Sequence, residues 1–177
     1  IIVSALFSLI DMKVTKNRNR MDLVVLDEAW KVLGNETLSA TLEGWARRLR
    51  KYGAGLILGT QSLQELKENK SARAVFENSE WTVILKSKAS ALQPMIEMGV
   101  FTDDYALRCA KDLKVSKGEY SEMLIMCDRW YAVGRLNVDP FTAALYSTDA
   151  QDVGYIKDLQ HRGFSLEQAV MELASRK

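Results

Sequence analysis

The sequence predicts an α/β fold with crossover helices, and three observations carry that prediction. Three short apolar runs, LVVL at 23–26, LIL at 56–58 and WTVIL at 81–85, each stop abruptly at polar residues. Helix-length stretches separate them. With only 2 prolines in 177 residues, no Pro-rich linker interrupts the rhythm. Strand, helix, strand, helix, strand in this order points to a mainly parallel sheet with flanking helices.

Composition agrees with a packed chain. Hydrophobic residues make up 47% and charged residues 27%, which favours a core over disorder. The length is that of one domain. A net charge of +1 gives no global pull toward nucleic acid or anionic lipid, so any basic patch is local. Cys109 and Cys127 lie far apart with no CxxC partner, which argues against a metal cage or disulfide framework and for reduced thiols. The one histidine, His161, lies in a polar segment and is expected at the surface.

Residues 1–14 are apolar on most faces of a helix. The run is too short to span a bilayer and lacks the basic start of a signal peptide. It is expected to be a buried helix entered partway, in a chain cut from something longer. Residues 16–20 (KNRNR) follow as a loop. The run at 23–26, ended by Asp27 and Glu28, has the pattern of a strand buried on both faces of a parallel sheet. Residues 35–52 form a helix with Leu38, Leu42, Trp45, Ala46 and Leu49 on one side, and Gly53 suits its stop. After the strand at 56–58, Ser62 and Glu65 stand at capping-box spacing for a helix starting just past Gln61. The third strand is followed by short helices near 92–98 and 103–113.

From Glu122 the pattern changes. Residues 123–127 and 130–136 read as a late β-hairpin around Asp128 and Arg129, a turn without glycine whose register is loosely defined. Residues 141–146 are expected to add a strand, and 148–160 and 165–175 to close the chain as two helices. Ser165 and Gln168 form a capping box for the second. The tryptophans and methionines are expected in the core, not on a nucleic-acid stacking platform, which pairs aromatics with a basic groove.

The chemistry concentrates at two strand ends. A buried strand delivers its C-terminal residues to the rim of an open α/β sheet, where ligands bind. Phosphoryl transfer from a nucleotide needs a carboxylate near Mg²⁺ and a group that positions the attacking water. Asp27 and Glu28 supply both types, Asp27 toward the metal through its water shell and Glu28 toward the water. The competing explanation is a helix start, where carboxylates complement the macrodipole. Gly59-Thr60-Gln61, at the next strand end, places a polar side chain where a γ-phosphate can be sensed, or else makes an ordinary turn. No GxxxxGK[ST] occurs in the sequence, so no phosphate cradle of that type is present.

Val24-Val25-Leu26-Asp27-Glu28-Ala29-Trp30, then Arg50-Lys51-Tyr52-Gly53, then Gly59-Thr60-Gln61-Ser62, in this order, resemble the ATPases of type IV secretion systems. Within them the chain is most similar to the TraC-type conjugative transfer ATPases. Arg135-Leu136-Asn137-Val138-Asp139-Pro140 and Ala144-Leu145-Tyr146-Ser147-Thr148 extend the likeness toward the end. The resemblance implies a RecA-like P-loop NTPase core over residues 1–147, lacking the Walker A segment, with a C-terminal helical pair at 148–177 packed on it. It further implies ATP with Mg²⁺, Asp27 and Glu28 as the Walker B pair, and Gln61 as sensor. Hexamers at the cytoplasmic face of the bacterial inner membrane would work with secretion-channel proteins in pilus assembly and transfer.

Ring ATPases also need an arginine that reaches a neighbour's γ-phosphate. Arg50, matching the family's Arg-Lys pair, and Arg135, on the late hairpin, are the candidates beside a surface role. Without a Walker A loop the chain alone is expected to be inactive. Two other functions stay open at this level: a DNA-translocating motor of the coupling-protein type, and a non-catalytic docking or oligomerisation module.

Overall fold

The computed structural model describes residues 2–16, 20–61, 64–116, 118–128 and 130–176. The chain divides into two compact units, the first built from residues 1–82, 87–107 and 126–130 and the second from 83–86, 108–125 and 131–177.

The first unit begins with helix α1 (Ile2–Lys16), then strand β1 (Asp22–Leu26), a single helical turn α2 (Trp30–Leu33) and helix α3 (Glu36–Arg48). Asn35 caps α3, its side-chain oxygen accepting the Leu38 amide at 3.1 Å. A 3₁₀ turn (Leu49–Tyr52) tightens the end of α3, and Gly53, at φ 72°, closes it in the left-handed conformation that a side chain would disfavour. The chain then enters strand β2 (Ala54–Leu58), and helices α4 (Gln64–Glu68) and α5 (Lys70–Glu77) follow. The capping box expected at Ser62 lies outside the described residues.

β1 and β2 pair in parallel, with Asp22 opposite Ala54 and Leu26 opposite Leu58. Their connection runs through α3, the crossover that parallel pairing requires. One face of this pair enters the core: Val24 and Ala54 are buried, and Leu26, Leu56 and Leu58 pack beside them. The other face does not. Leu23, Val25 and Ile57 are 62%, 59% and 50% exposed, so β1 is not the doubly buried strand the sequence suggested. A run of consecutive apolar residues fills both faces without saying that both are covered.

The same correction applies to α1. Phe7 and Val14 join the core, but Val3, Leu6, Leu9 and Met12 remain exposed. What anchors the helix is Trp45 of α3. It is fully buried, its ring stacked 4.8 Å from that of Phe7, and its indole N–H donates to Asp11 Oδ1 at 2.8 Å. Leu42, Trp45 and Leu49 are buried along α3, with Leu38 and Ala46 beside them, as the helical spacing predicted.

The third predicted strand, β3 (Trp81–Leu85), is present but does not extend the parallel pair. It hydrogen-bonds to β5 (Tyr120–Cys127), which also pairs with the short β4 (Val115–Ser116) and with β6 (Trp130–Asn137). The eight-residue β5 offers a longer edge than β2, and β4 joins it antiparallel. The helical segments after β3 fall where expected, as α6 (Gln93–Glu97) and α7 (Asp104–Asp112). In the hairpin turn Asp128 adopts φ 50°, the left-handed conformation that aspartate tolerates in place of glycine.

The expected strand at 141–146 is instead helix α8 (Pro140–Leu145). Asp139 accepts the Thr142 amide at 3.0 Å and Pro140 occupies the first helical turn, so the capping pattern overrides the β-propensity of Phe141 and Thr142. Helices α9 (Ala150–His161) and α10 (Leu166–Ala174) close the second unit, packed with α8 around Ala144, Val170 and Leu173. The Ser165–Gln168 capping box of α10 is formed. His161 is exposed.

Not all large side chains went inside. Trp81 and Trp130, at the first positions of β3 and β6, are 57% and 55% exposed and pack edge-to-face at 6.2 Å. Each ring shelters the other at a strand start, where no layer covers it, so they depart from the expected core placement. Met95 and Met126 fill the core, whereas Met21 and Met171 are exposed. No helix of the described residues is long and apolar enough to cross a membrane.

Candidate functional site

Parallel pairing brings the C-terminal ends of β1 and β2 to one rim, and the hydrogen bonding continues past both strands. The Gly59 amide donates to the Leu26 carbonyl at 2.9 Å, and the Gly59 carbonyl accepts the Ala29 amide at 2.8 Å. Ala29 is fully buried, so the turn carrying Asp27 and Glu28 is pinned at its far end. Asp27 and Gly59 therefore stand side by side as the next pair in the register after Leu26 and Leu58.

Within the turn, Asp27 Oδ1 accepts the Glu28 backbone amide at 2.9 Å, which orients the carboxylate against its own chain. Asp27 is exposed and Glu28 half-buried. Glu28 has φ 53°, a left-handed backbone that costs a residue with a side chain about 1 kcal/mol. Only after this bend does α2 begin, at Trp30. The acidic pair is thus not the first turn of a regular helix; a strained turn separates it from one.

Gln61 reaches the same place from the other strand. Its Nε2 donates to Glu28 Oε1 at 2.8 Å. The structure accordingly brings Asp27, Glu28 and Gln61 together at one rim. Asp27 offers an exposed carboxylate of the kind a hydrated Mg²⁺ accepts; among the described residues no group of three or more His, Cys, Asp or Glu is gathered to hold a metal ion directly. An exposed carboxylate at a sheet rim suits contact with such an ion through its water shell.

The two arginines are placed differently. Arg50 lies in the 3₁₀ turn just before β2, hence at the edge opposite the rim. Five strand residues at about 3.3 Å each separate the two edges by about 16 Å, beyond the reach of an arginine side chain. Its neighbours are engaged elsewhere, Arg47 with Glu43 at 2.7 Å and Arg48 with Asp11 at 3.1 Å. Arg135 belongs to the second unit. There it pairs with Glu122 at 2.7 Å and lies over the Tyr120 ring at 3.9 Å. The Arg135 guanidinium, followed by the Lys114 amide, holds the Glu122 carboxyl below the usual carboxylate range.

Sequence reasoning missed two features of this rim. The left-handed backbone at Glu28 has no signal in a residue type that rarely adopts it. The closeness of Gly59 to Asp27 depends on a register between residues 32 positions apart, although a glycine at a strand end is a signal of close approach.

Comparison with known proteins places the chain. The model of the TraG P-loop domain matches residues 1–177. Protein TraC of Escherichia coli (strain K12) is 28% identical over 191 residues, an alignment covering 100% of this chain and 22% of TraC. The structure of VirB4 of Thermoanaerobacter pseudethanolicus superimposes with a TM-score of 0.62 at 17% identity, covering 79% of this chain and 36% of that one. At that identity the likeness to VirB4 is one of fold. The chain spans only about a fifth of the curated relative it matches. With a family match over its full length and a parallel strand pair that carries an acidic rim, the chain belongs to the TraG P-loop domain family.

Proposed function

We propose that this chain is part of the ATP-hydrolysing core of a type IV secretion motor, and that its rim is the hydrolytic edge of the nucleotide site. The observation that carries this reading is the 2.8 Å bond from Gln61 to Glu28, which joins the ends of two parallel strands beside Asp27. In this assignment Asp27 and Glu28 are the Walker B pair. Asp27 would hold Mg²⁺ through a water of its shell, Glu28 would orient and polarise the attacking water, and Gln61 would sense the terminal phosphate. Bound Mg²⁺ would neutralise the charge that develops on the phosphates. Because Gln61 bonds to Glu28, a change at the sensor is felt directly by the base.

The phosphate cradle comes from outside this sequence, which contains no GxxxxGK[ST]. We further propose that the core spans 1–147, with 148–177 as an appended helical pair. Subunits would assemble as a hexamer at the cytoplasmic face of the inner membrane with channel proteins, to drive pilus assembly and transfer. Arg50, at the edge away from the rim, then acts across a subunit interface or not at all.

The test is made in the full-length protein. Glu28→Gln keeps size and hydrogen bonding but removes the base, so single-turnover hydrolysis should fall about a hundredfold or more while Mg-ATP binding persists. Asp27→Asn should weaken both. Wild-type hydrolysis by Glu28→Gln refutes the assignment.

A further inference from the structure

We infer that Gly59 is a positioning residue for the acidic pair: the absence of a side chain at this position lets the Asp27 carboxylate hold its place. The inference rests on the site proposed above. A Cβ built on Gly59 would stand 3.2 Å from Asp27 Oδ1, tighter than ordinary van der Waals contact. That same oxygen accepts the Glu28 amide. It cannot retreat from a methyl group without lengthening this bond and shifting the carboxylate by a few tenths of an ångström.

Nor can Gly59 move away. Its amide and carbonyl are both committed, to Leu26 and Ala29, on either side of the acidic pair. Gly59 does not adopt the positive φ that excludes side chains, unlike Gly53, so its backbone accepts alanine without strain. What a side chain disturbs at 59 is therefore the carboxylate, not the fold.

β2 supplies its own control. Gly55 lies four residues earlier on the same face, and a Cβ there would stand 3.1 Å from Leu23 Cδ1. The intrusion is as close, but it meets the methyl end of a side chain that is 62% exposed and swings aside freely. The two glycines pose a similar steric problem, one against an anchored carboxylate oxygen and the other against a side-chain end that yields.

The experiment compares Gly59→Ala and Gly55→Ala in the full-length protein, with three measurements. Thermal unfolding should be near wild type for both. Hydrogen–deuterium exchange over residues 24–31, without nucleotide, should speed up in Gly59→Ala alone as the Glu28 amide loses its acceptor. In Mg²⁺ titrations of ATP hydrolysis, Gly59→Ala should need about three- to tenfold more Mg²⁺ for half-maximal rate, the scale expected when a group is displaced by a fraction of an ångström. In the Asp27→Asn background Gly59→Ala should add nothing further.

Unchanged exchange in Gly59→Ala, or equal shifts in both alanine variants, overturns the inference. So does a Gly59→Ala effect that persists in full beside Asp27→Asn. Faster exchange with unaltered Mg²⁺ dependence and an active Asp27→Asn protein supports the positioning by Gly59 and overturns the metal assignment instead.

Discussion

Trp45→Phe tests the packing that supports the site. The substitution keeps an aromatic ring against Phe7 but removes the fused five-membered ring and the indole N–H. The lost ring takes about 40 Å² of apolar area out of a fully buried position, worth about 1 kcal/mol at about 25 cal/mol per Å². The bond to Asp11 Oδ1 adds to this. Bonds to charged groups contribute about 1.5–3 kcal/mol, but Asp11 is 35% exposed and keeps its contact with Arg48, so the contribution falls to the bottom of that range or just below it, about 1–1.5 kcal/mol. Together the loss is about 2–2.5 kcal/mol, a fall in Tm of about 4–10 °C for a chain of this size. Urea unfolding followed by far-ultraviolet circular dichroism measures it directly. Asp11→Asn is the companion: the amide oxygen can still accept the indole N–H, so the cost should stay under about 1 kcal/mol. If Trp45→Phe costs less than about 0.5 kcal/mol, Trp45 is not what joins α1 to α3.

Two more outcomes are expected. Glu122, whose carboxyl is held low by Arg135, stabilises the fold above its ordinary unfolded carboxyl value, and this stabilisation is lost as pH falls through the lower folded value. Arg135→Ala should lower Tm at neutral pH and flatten its acid dependence; identical Tm-versus-pH curves would show the pair to be inert. Calorimetric titration of the 177-residue chain alone with Mg-ATP should give little binding and no turnover, since it contains no GxxxxGK[ST]; tight one-to-one binding would reveal an unrecognised phosphate site.

The rim was legible because its logic is local. An apolar run that ends in Asp27-Glu28, a helix, and a second run that ends in Gly59-Thr60-Gln61 permit little besides parallel pairing with both ends on one side. Layers were less legible. LVVL at 23–26 satisfies a strand covered on one face as well as one covered on both, and the exposed Leu23 and Val25 follow no pattern that the run itself displays. At 140–145 two signals competed, and the cap at Asp139 with Pro140 behind it outweighed propensity. The partner of β3 could not be read, because pairing with β5 is decided by an edge formed some forty residues later. Pair-specific contacts, such as Trp45 with Asp11 or Arg135 with Glu122, lie between residues whose spacing carries no periodic signal.

If Glu28 has the role proposed for it, its left-handed backbone sets stability and activity in opposition at one codon. Asparagine or glycine accepts φ 53° more readily than glutamate, so either would relax the turn by up to about 1 kcal/mol. Either would also remove the carboxylate that Gln61 engages. On the function proposed above, a library of the full-length protein sorted only for thermal resistance should therefore enrich replacements at position 28, whereas one sorted for ATP hydrolysis should restore glutamate.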